Sequence, residues 1–227
     1  MRGRPVTMDH DERKAETRDM IMQAARKVFS EKGYHKAGIA DIVREAGIST
    51  GSIYAHFRDK HDLFSQLIQE TNEILRIKLK LLHETKKPGD VRERIQQWKP
   101  AYCAFFDYVE ENPEQILLLA RGGFGVDEEN DMFVWNLFKG FATDIAEDFR
   151  KWEALGFIRG VNADLMGHII VGICLQVALS YLQERQFTRT EAINTLLSLT
   201  YAMVSLYLTD RGRAEVEGID IPRLDEG

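Results

Sequence analysis

The segment that decides the fold of this chain is residues 39–57, IADIVREAGISTGSIYAHF. Its first half has the apolar spacing of a short helix. Gly47 follows that helix and can adopt the positive φ that a sharp turn requires. Ser49 or Thr50 can then cap a second short helix, because a hydroxyl at this position accepts a hydrogen bond from a free backbone N–H.

The second helix places Ile53 and Phe57, four residues apart, on its inner face. Two short helices joined by a tight turn are typical of a helix-turn-helix, whose second helix enters the major groove of DNA. Its outer face carries small and hydroxyl-bearing residues that can contact bases and phosphates. The DNA contacts predicted for this helix and the start of the next are Ser49, Thr50, Gly51, Ser52, Tyr54, His56 and Lys60.

The N-terminus contains the sequence Arg-Gly-Arg-Pro, in which Arg2 and Arg4 are the two cations. Extended arginines of this kind can enter a narrow, A·T-rich minor groove. A disordered polar N-terminus is the alternative, since chain ends are often poorly ordered. We include both arginines among the predicted DNA contacts.

The rest of the chain also has a helical pattern. Its five prolines leave residues 6–87 and 114–221 free of proline, and apolar residues recur there at helical spacing. The sequence therefore predicts an all-α protein of about nine helices. They fall at about 10–32, 39–46, 50–57, 60–85, 90–111, 114–121, 128–156, 162–184 and 189–209, with a frayed polar tail after 210.

Composition narrows the class of protein. With 44% hydrophobic and 29% charged residues among 227, the chain has the composition of a globular protein. The N-terminus is too polar for a signal peptide, and the apolar stretch 165–182 contains a His and a Gln, which favours a buried helix over a membrane span. We therefore expect a cytoplasmic protein without a membrane partner.

The charge of the chain is unevenly distributed. Residues 1–64 contain 12 Lys and Arg against 10 Asp and Glu, a net charge of +2. The remaining residues contain 18 against 26, a net charge of −8. A weakly basic head on an acidic body suggests two segments with two roles.

The head of the chain resembles the DNA-binding domain of the TetR family of bacterial transcriptional regulators. The resemblance covers residues 17–64 without a gap. The matching elements are Thr17-Arg18, Ile21, Ala24-Ala25, Phe29, Gly33-Tyr34, Asp41-Ile42, Ala46-Gly47-Ile48-Ser49, Gly51-Ser52-Ile53-Tyr54, His56-Phe57, Lys60 and Leu63-Phe64.

Two positions depart from the family pattern. Gly38 stands where the family usually has a Thr or Ser that caps a helix and touches phosphate, and Thr50 stands where Lys is common. Both changes should lower nonspecific affinity for DNA. Lys36 and Gly38 complete the predicted DNA-contact residues.

The resemblance implies a division of the chain into a DNA-binding domain, residues 1–62, and a domain for effector binding and dimerisation, residues 63–227. It also implies a homodimer through residues 162–184 and 189–209, the last two long helices. Dimer symmetry would require a near-palindromic DNA site. The alternative is that these two helices only complete the core of one chain.

A small-molecule effector that is apolar or aromatic is the second partner that the resemblance implies. Aromatic side chains crowd the middle of the sequence, where they can form a core or a pocket wall. The polar candidates can equally make core, interface or helix-end contacts. The predicted pocket residues are Trp98, Tyr102, Phe105, Phe106, Arg121, Phe124, Trp135, Phe138, His168 and Gln176.

The main hypothesis is a DNA-binding regulator, a repressor relieved by a small molecule. The alternative is a protein that marks DNA sites and recruits a partner without an effector. The sequence contains no recognisable catalytic set, cofactor fingerprint or metal-ligand spacing. We therefore predict no enzymatic activity, no cofactor and no metal.

Overall fold

A computed structural model describes residues 10–70, 73, 91–122 and 125–219, and within these ranges every regular element is a helix. The expected all-α fold is confirmed. The fourth helix is described from residue 60 to 70. The helices are α1 His10–Lys36, α2 Ile39–Ala46, α3 Thr50–Tyr54, α4 60–70, α5 Val91–Gln96, α6 Trp98–Glu111, α7 Pro113–Gly122, α8 Glu128–Ala154, α9 Ala163–Gln183, α10 Arg189–Ser205 and α11 Asp210–Val216.

Two breaks interrupt the predicted helices, one where a glycine predicts the end of a helix and one that the sequence did not predict. Gly33 has φ 73° and ψ 162° and interrupts α1, which then continues for three residues to Lys36. The segment 90–111, expected as one helix, divides at Gln97 into α5 and α6. Pro100 lies in the first turn of α6, where its missing N–H has no helical partner to lose.

The tail after residue 210 differs from the expectation of a frayed end. Thr209 caps α11: its Oγ1 accepts a hydrogen bond from Gly212 N at 3.1 Å and donates to the Gly156 carbonyl at 2.7 Å. Val216 is buried, and an isolated antiparallel bridge joins Ile158 to Leu208. The sequence analysis predicted a frayed tail because its apolar content is low. The Thr209-Asp210 pair, a typical helix N-cap, does indicate the start of α11.

The core of the DNA-binding part is continuous with that of the body. Leu63, Phe64, Leu67 and Ile68 of α4 are fully buried beside residues of α1 to α3, and the same cluster includes residues of α6 to α9. The expected boundary after residue 62 therefore cuts through α4 and its core. The division into two functional domains stays a prediction.

The apolar helix α9 is not the buried helix that the sequence predicted. By length and composition alone it could cross a membrane, and 17% of its most apolar window is buried within the described part of the chain. One face packs closely against α8, where a side chain in place of Gly167 would collide with the Ala142 carbonyl. The opposite face is exposed, with Leu165 56% and Ile169 37% accessible.

Candidate DNA interface and effector cavity

The turn between α2 and α3 has the geometry of a helix-turn-helix. Gly47 has φ 67° and ψ 29°, the left-handed conformation, and its N–H donates to the Val43 carbonyl at 3.0 Å. Of the two predicted caps, Ser49 is the N-cap of α3: its Oγ accepts from Ser52 N at 3.1 Å. Ile53 and Phe57 are buried, so α3 is held by its inner face.

The outer face of α3 is open to solvent. Ser49, Thr50 and Gly51 are exposed, and Tyr54 is 54% accessible although it is a large aromatic residue. Ser52 is half-buried, and its hydroxyl lies 2.8 Å from that of Ser49. These five predicted contact residues therefore lie on one short helix and its cap.

The side chain of Lys60 is directed into the protein. Its Nζ donates to the carbonyls of Tyr34 at 3.0 Å and Ala37 at 3.1 Å, and it lies 4.3 Å from the centre of the Tyr34 ring. These carbonyls belong to the end of α1, which lacks helical partners there. Lys60 thus joins α4 to α1, a structural role that the sequence analysis did not assign to it.

His56 is half-buried beside Phe57. Burial, reinforced by the nearby cations Lys14 and Arg18, lowers the pKa of His56 below its ordinary value. The imidazole is therefore neutral at neutral pH and can offer DNA one N–H but no positive charge.

Gly38 is the N-cap residue of α2, and its N–H donates to Asp41 Oδ2 at 3.2 Å. A hydrogen bond from Lys32, together with the Gly38 N–H, lowers the pKa of Asp41 to about 2. The predicted contact Lys36 is exposed at the end of α1. The N-terminal candidates Arg2 and Arg4 lie outside the described residues.

One exposed cation near α3 was missed. The Arg58 side chain is 85% accessible, four residues after Tyr54, and is held by Asp62 at 3.2 Å. Arg58 could have been identified from the sequence as a cation that directly follows the inward-facing Phe57. Arg58 could supply positive charge that Thr50 does not.

A cavity of about 230 Å³ lies in the body between α5, α6, α7, α8, α9 and α10. One face of α8 contributes residues at helical spacing from position 138 to 152, and α9 contributes four residues from position 170 to 175. Four of the predicted pocket residues line it, namely Trp98, Tyr102, Phe105 and Phe138. Three further aromatic residues that the sequence analysis did not select are Phe141, Phe149 and Trp152.

The polar groups in the cavity wall are few. The Tyr102 hydroxyl lies 2.6 Å from Thr200 Oγ1, and burial raises the pKa of that hydroxyl. Burial also raises the pKa of the Cys174 thiol to about 12, so this cysteine is an unreactive thiol at neutral pH. Arg94 and Asp148 form an ion pair in the wall, with Nε to Oδ2 at 2.7 Å.

Other predicted pocket residues lie elsewhere. Phe106 is fully buried in a neighbouring cluster against Tyr181. Trp135 is 52% accessible and stacks on the exposed His168, with ring centres 6.0 Å apart, while Gln176 is exposed on α9. None of these four residues lines the cavity. His168 and Gln176 were selected because they are polar residues in an apolar helix, and there the polarity marks its outer face. The Arg121 side chain and Phe124 lie outside what the structure describes.

Helix α8 touches both the cavity and the DNA-binding part. Its cap residue Asp127 lies 2.5 Å from His61 Nε2 of α4, and its Asn130 accepts a hydrogen bond from Ser65 Oγ at 3.3 Å. Just before α8, the Gly125 carbonyl lies 2.8 Å from His35 Nε2 of α1. The helix that lines the cavity is therefore joined directly to two helices of the DNA-binding part.

An exposed recognition helix on a glycine turn, fixed to a helical body with a cavity, defines a DNA-binding regulator of the helix-turn-helix class. Residues 21–67 match the family described as bacterial regulatory proteins, tetR family. This match overlaps residues 17–64, the segment that resembles the TetR family, and the curated relatives of the chain are HTH-type transcriptional regulators.

Individual relatives differ in how much of them is matched. The chain is 41% identical to the regulator AcrR of Shigella flexneri over a segment that covers 33% of this chain and 34% of AcrR. It is 29% identical to the regulator HbdR of Aromatoleum sp. (strain CIB) over 93% of this chain and 88% of HbdR.

Solved structures share the fold. A TetR-like regulator from Rhodococcus sp. RHA1 has a TM-score of 0.69 and 17% identity, with 88% of this chain and 99% of that chain covered. The regulator FadR from Bacillus subtilis, solved in complex with stearoyl-CoA, has a TM-score of 0.65 and 18% identity, with 80% and 96% covered.

Proposed function

We propose that this chain is a ligand-responsive transcriptional repressor that acts in the cytoplasm and binds a palindromic operator as a homodimer. The observation that carries the proposal is the position of α8. It lines the cavity with its C-terminal half, and its N-terminal cap residue Asp127 contacts His61 of α4. A ligand in the cavity can therefore act on the DNA-binding helices through one rigid element.

The proposed dimer covers the exposed faces of α9 and α10. Exposed apolar side chains are costly in water, and a second copy of the same face removes them from water symmetrically. This accounts for the low burial of α9 without a membrane. The exposed positions on these faces are Leu165, His168, Ile169, Gly172 and Gln176 of α9, with Glu191, Thr195, Leu199 and Ala202 of α10 and Leu206 just after it.

Repression and its relief follow from a shift between two dimer geometries. Without ligand, the recognition helices are spaced about one turn of DNA apart and fit successive major grooves. An apolar or aromatic effector that fills the cavity moves α8 and, through His61 and His35, the DNA-binding part. The liganded dimer then has the wrong spacing and the operator is released.

Contacts with DNA are proposed for the predicted residues on α3 and around it. Thr50 and Tyr54 face the bases, Ser49 and Ser52 lie near the backbone, and Arg58 adds a phosphate contact. The ammonium of Lys60 has one N–H left for phosphate after its two carbonyl bonds. Arg2 and Arg4 remain proposed minor-groove contacts.

The test is selection of bound duplexes from a random DNA pool at physiological salt, followed by affinity measurements on the selected site. We expect a near-palindromic consensus. Tyr54→Ala should weaken binding by about 1–3 kcal/mol without unfolding the chain. Ile53→Ala is the matched control, because Ile53 is fully buried and its loss should lower stability instead. Absence of any enriched sequence with a folded dimer contradicts the proposal, as does many-site chromosomal binding that no ligand changes.

A further inference from the structure

The charge of the cavity wall carries information about the effector. Three charged side chains line the cavity in the described part of the chain: Arg94, Asp144 and Asp148. Arg94 and Asp148 neutralise each other, because Arg94 approaches Asp148 Oδ2 through Nε at 2.7 Å and Nη2 at 2.6 Å. Their side chains are only 18% and 11% accessible, so the pair is held in the wall.

The donors of Arg94 are further occupied by Gln97, whose Oε1 accepts a hydrogen bond at 3.2 Å. An anionic ligand would thus meet a guanidinium that is already paired with a carboxylate. Displacing that carboxylate would break a buried ion pair, which is strongly unfavourable.

Asp144 is the charge that remains. It lies on the cavity face of α8, one turn before Asp148, and is half-buried. Within the residues that the structure describes, its carboxylate makes no hydrogen bond or ion pair. The three charges therefore leave the described wall with a net charge of −1.

Aromatic residues line the same cavity as this carboxylate. Phe141 lies one turn before it on α8, and Phe149 and Trp152 continue the same face toward Trp98, whose ring centre is 6.2 Å from that of Trp152. The faces of aromatic rings carry negative partial charge and attract cations, most strongly where water is excluded. An apolar aromatic cavity whose described wall has one carboxylate without a paired cation is suited to an organic cation.

We infer that the effector is a lipophilic cation, an apolar or aromatic body that carries one ammonium group, and that Asp144 is the residue that selects for its charge. This inference rests on the proposed function, since it names the chemical class of ligand for the same cavity. Carboxylate and phosphate compounds of equal size are disfavoured, because Asp144 repels them and Arg94 is already paired.

The experiment uses three probes that share a decyl chain: decyltrimethylammonium, decan-1-ol and decanoate, each far below its micelle concentration. Binding is followed by tryptophan fluorescence in a full-length Trp135→Phe background. Trp98 and Trp152 line the cavity and then report on it without the exposed third tryptophan. We expect the ammonium compound to bind at least tenfold more tightly than the alcohol, with decanoate the weakest.

Two variants locate the selectivity. Asp144→Asn should bring the ammonium compound and the alcohol to similar affinities, because it removes the charge at nearly constant volume. Glu147→Gln removes the same charge from an exposed position on the same helix, outside the cavity wall, and should retain the preference. Thermal unfolding of both variants checks that the fold is kept.

Equal or tighter binding of the alcohol or of decanoate by the parent protein would overturn the cation assignment, as would a preference that survives in Asp144→Asn. Failure of all three probes to bind would overturn it as well. These outcomes are distinct from failure of the proposed function. If the alcohol or decanoate binds and weakens affinity for the selected operator, effector control stands and only the charge of the effector is wrong.

Discussion

His61 of α4 and Asp127, the N-cap of α8, are joined by a distance of 2.5 Å between Nε2 and Oδ2. The same carboxylate accepts the backbone N–H of Asn130 at 3.0 Å and its side-chain amide at 2.7 Å. The start of α8 and the start of α4 are therefore held by one shared carboxylate. Any displacement of α8 along its axis must move His61 or break this contact.

Replacing His61 tests this connection. We expect His61→Ala to lower operator affinity several-fold, because α4 and the recognition helix that packs on it lose a fixed position relative to the body. Stability should change little, since the Asp127 cap of α8 is retained. Fluorescence anisotropy with the selected operator measures the change. Lys151→Ala removes an exposed side chain from the opposite end of α8 and serves as control; equal losses in the two variants would contradict a specific role for His61.

Acid stability depends on Asp62. The Arg58 backbone N–H, with smaller contributions from the Arg58 and Gln66 side chains, lowers the pKa of Asp62 from an ordinary value of about 3.9 to about 2. Because the folded pKa is the lower one, this stabilisation is present above about pH 4 and is lost as the pH falls toward 2.

We therefore expect Asp62→Asn to be less stable than the parent at pH 7 and to lose less stability between pH 4 and pH 2. Urea unfolding at a series of pH values measures both quantities. Glu147→Gln changes the net charge equally and should follow the parent curve. Parallel curves for the parent and Asp62→Asn would show that the low pKa does not contribute to stability.

Gly38 can accept a side chain. A Cβ at this position would lie 3.7 Å from Asp41 Oδ2, an ordinary contact, and the backbone φ of −114° suits any residue. We expect Gly38→Ser to gain a few tenths of a kcal/mol in stability from the cap. It should also bind DNA more tightly through the added hydroxyl.

Unfolding and operator-binding titrations measure these two gains. Gly47→Ser is the matched control. It places the same side chain at φ 67° and should lose stability by about 1 kcal/mol. No gain in DNA affinity for Gly38→Ser would mean that position 38 is remote from the phosphates.

The structural role of Lys60 and its proposed phosphate contact can be tested by two different measurements, stability and the salt dependence of DNA affinity. Lys60→Met leaves the carbonyls of Tyr34 and Ala37 without this donor, so we expect a loss of about 1–3 kcal/mol in stability. If its remaining N–H contacts phosphate, the slope of log affinity against log salt should fall by about one. Lys36→Met, at an exposed position, should alter only the salt slope. An unchanged stability of Lys60→Met would contradict the structural role.

The exposed face of α9 predicts a dimer that one charge can disrupt. Ile169→Glu places a carboxylate at the centre of that face and should yield a monomer that no longer binds the palindromic site tightly. Light scattering in detergent-free buffer gives the mass. Leu155→Glu alters another exposed apolar residue, beyond the end of α8, and should remain dimeric. A monomeric parent protein would refute the proposed interface.

The sequence predicted local features better than distant ones. The end of the first predicted helix at residue 32, the Gly47 turn and a hydroxyl cap at Ser49 or Thr50 depend on backbone preferences of neighbouring residues. The structure has a break at Gly33, the turn at Gly47 and the cap at Ser49. The inward position of Lys60 was not predictable, because it depends on carbonyls more than twenty residues away. The cavity was not predictable either, because its wall is formed by helices that are far apart in the sequence.

Helical spacing identifies an apolar face but not what it packs against. Phe106 and Phe105 are adjacent in sequence, yet only Phe105 reaches the cavity. For the same reason His168 and Gln176, polar residues in the most apolar helix, were assigned to a pocket although they lie on its outer surface. Composition identified α9 as unusually apolar but did not show which of its faces is exposed.

The dimer proposed for the open apolar face of α9 would make regulation depend on the concentration of the chain. If tight operator binding needs two chains, the bound fraction at low expression rises with the square of the chain's concentration. A modest change in synthesis or degradation would then alter repression steeply. A twofold fall in concentration would then lower the bound fraction about fourfold, before any effector arrives.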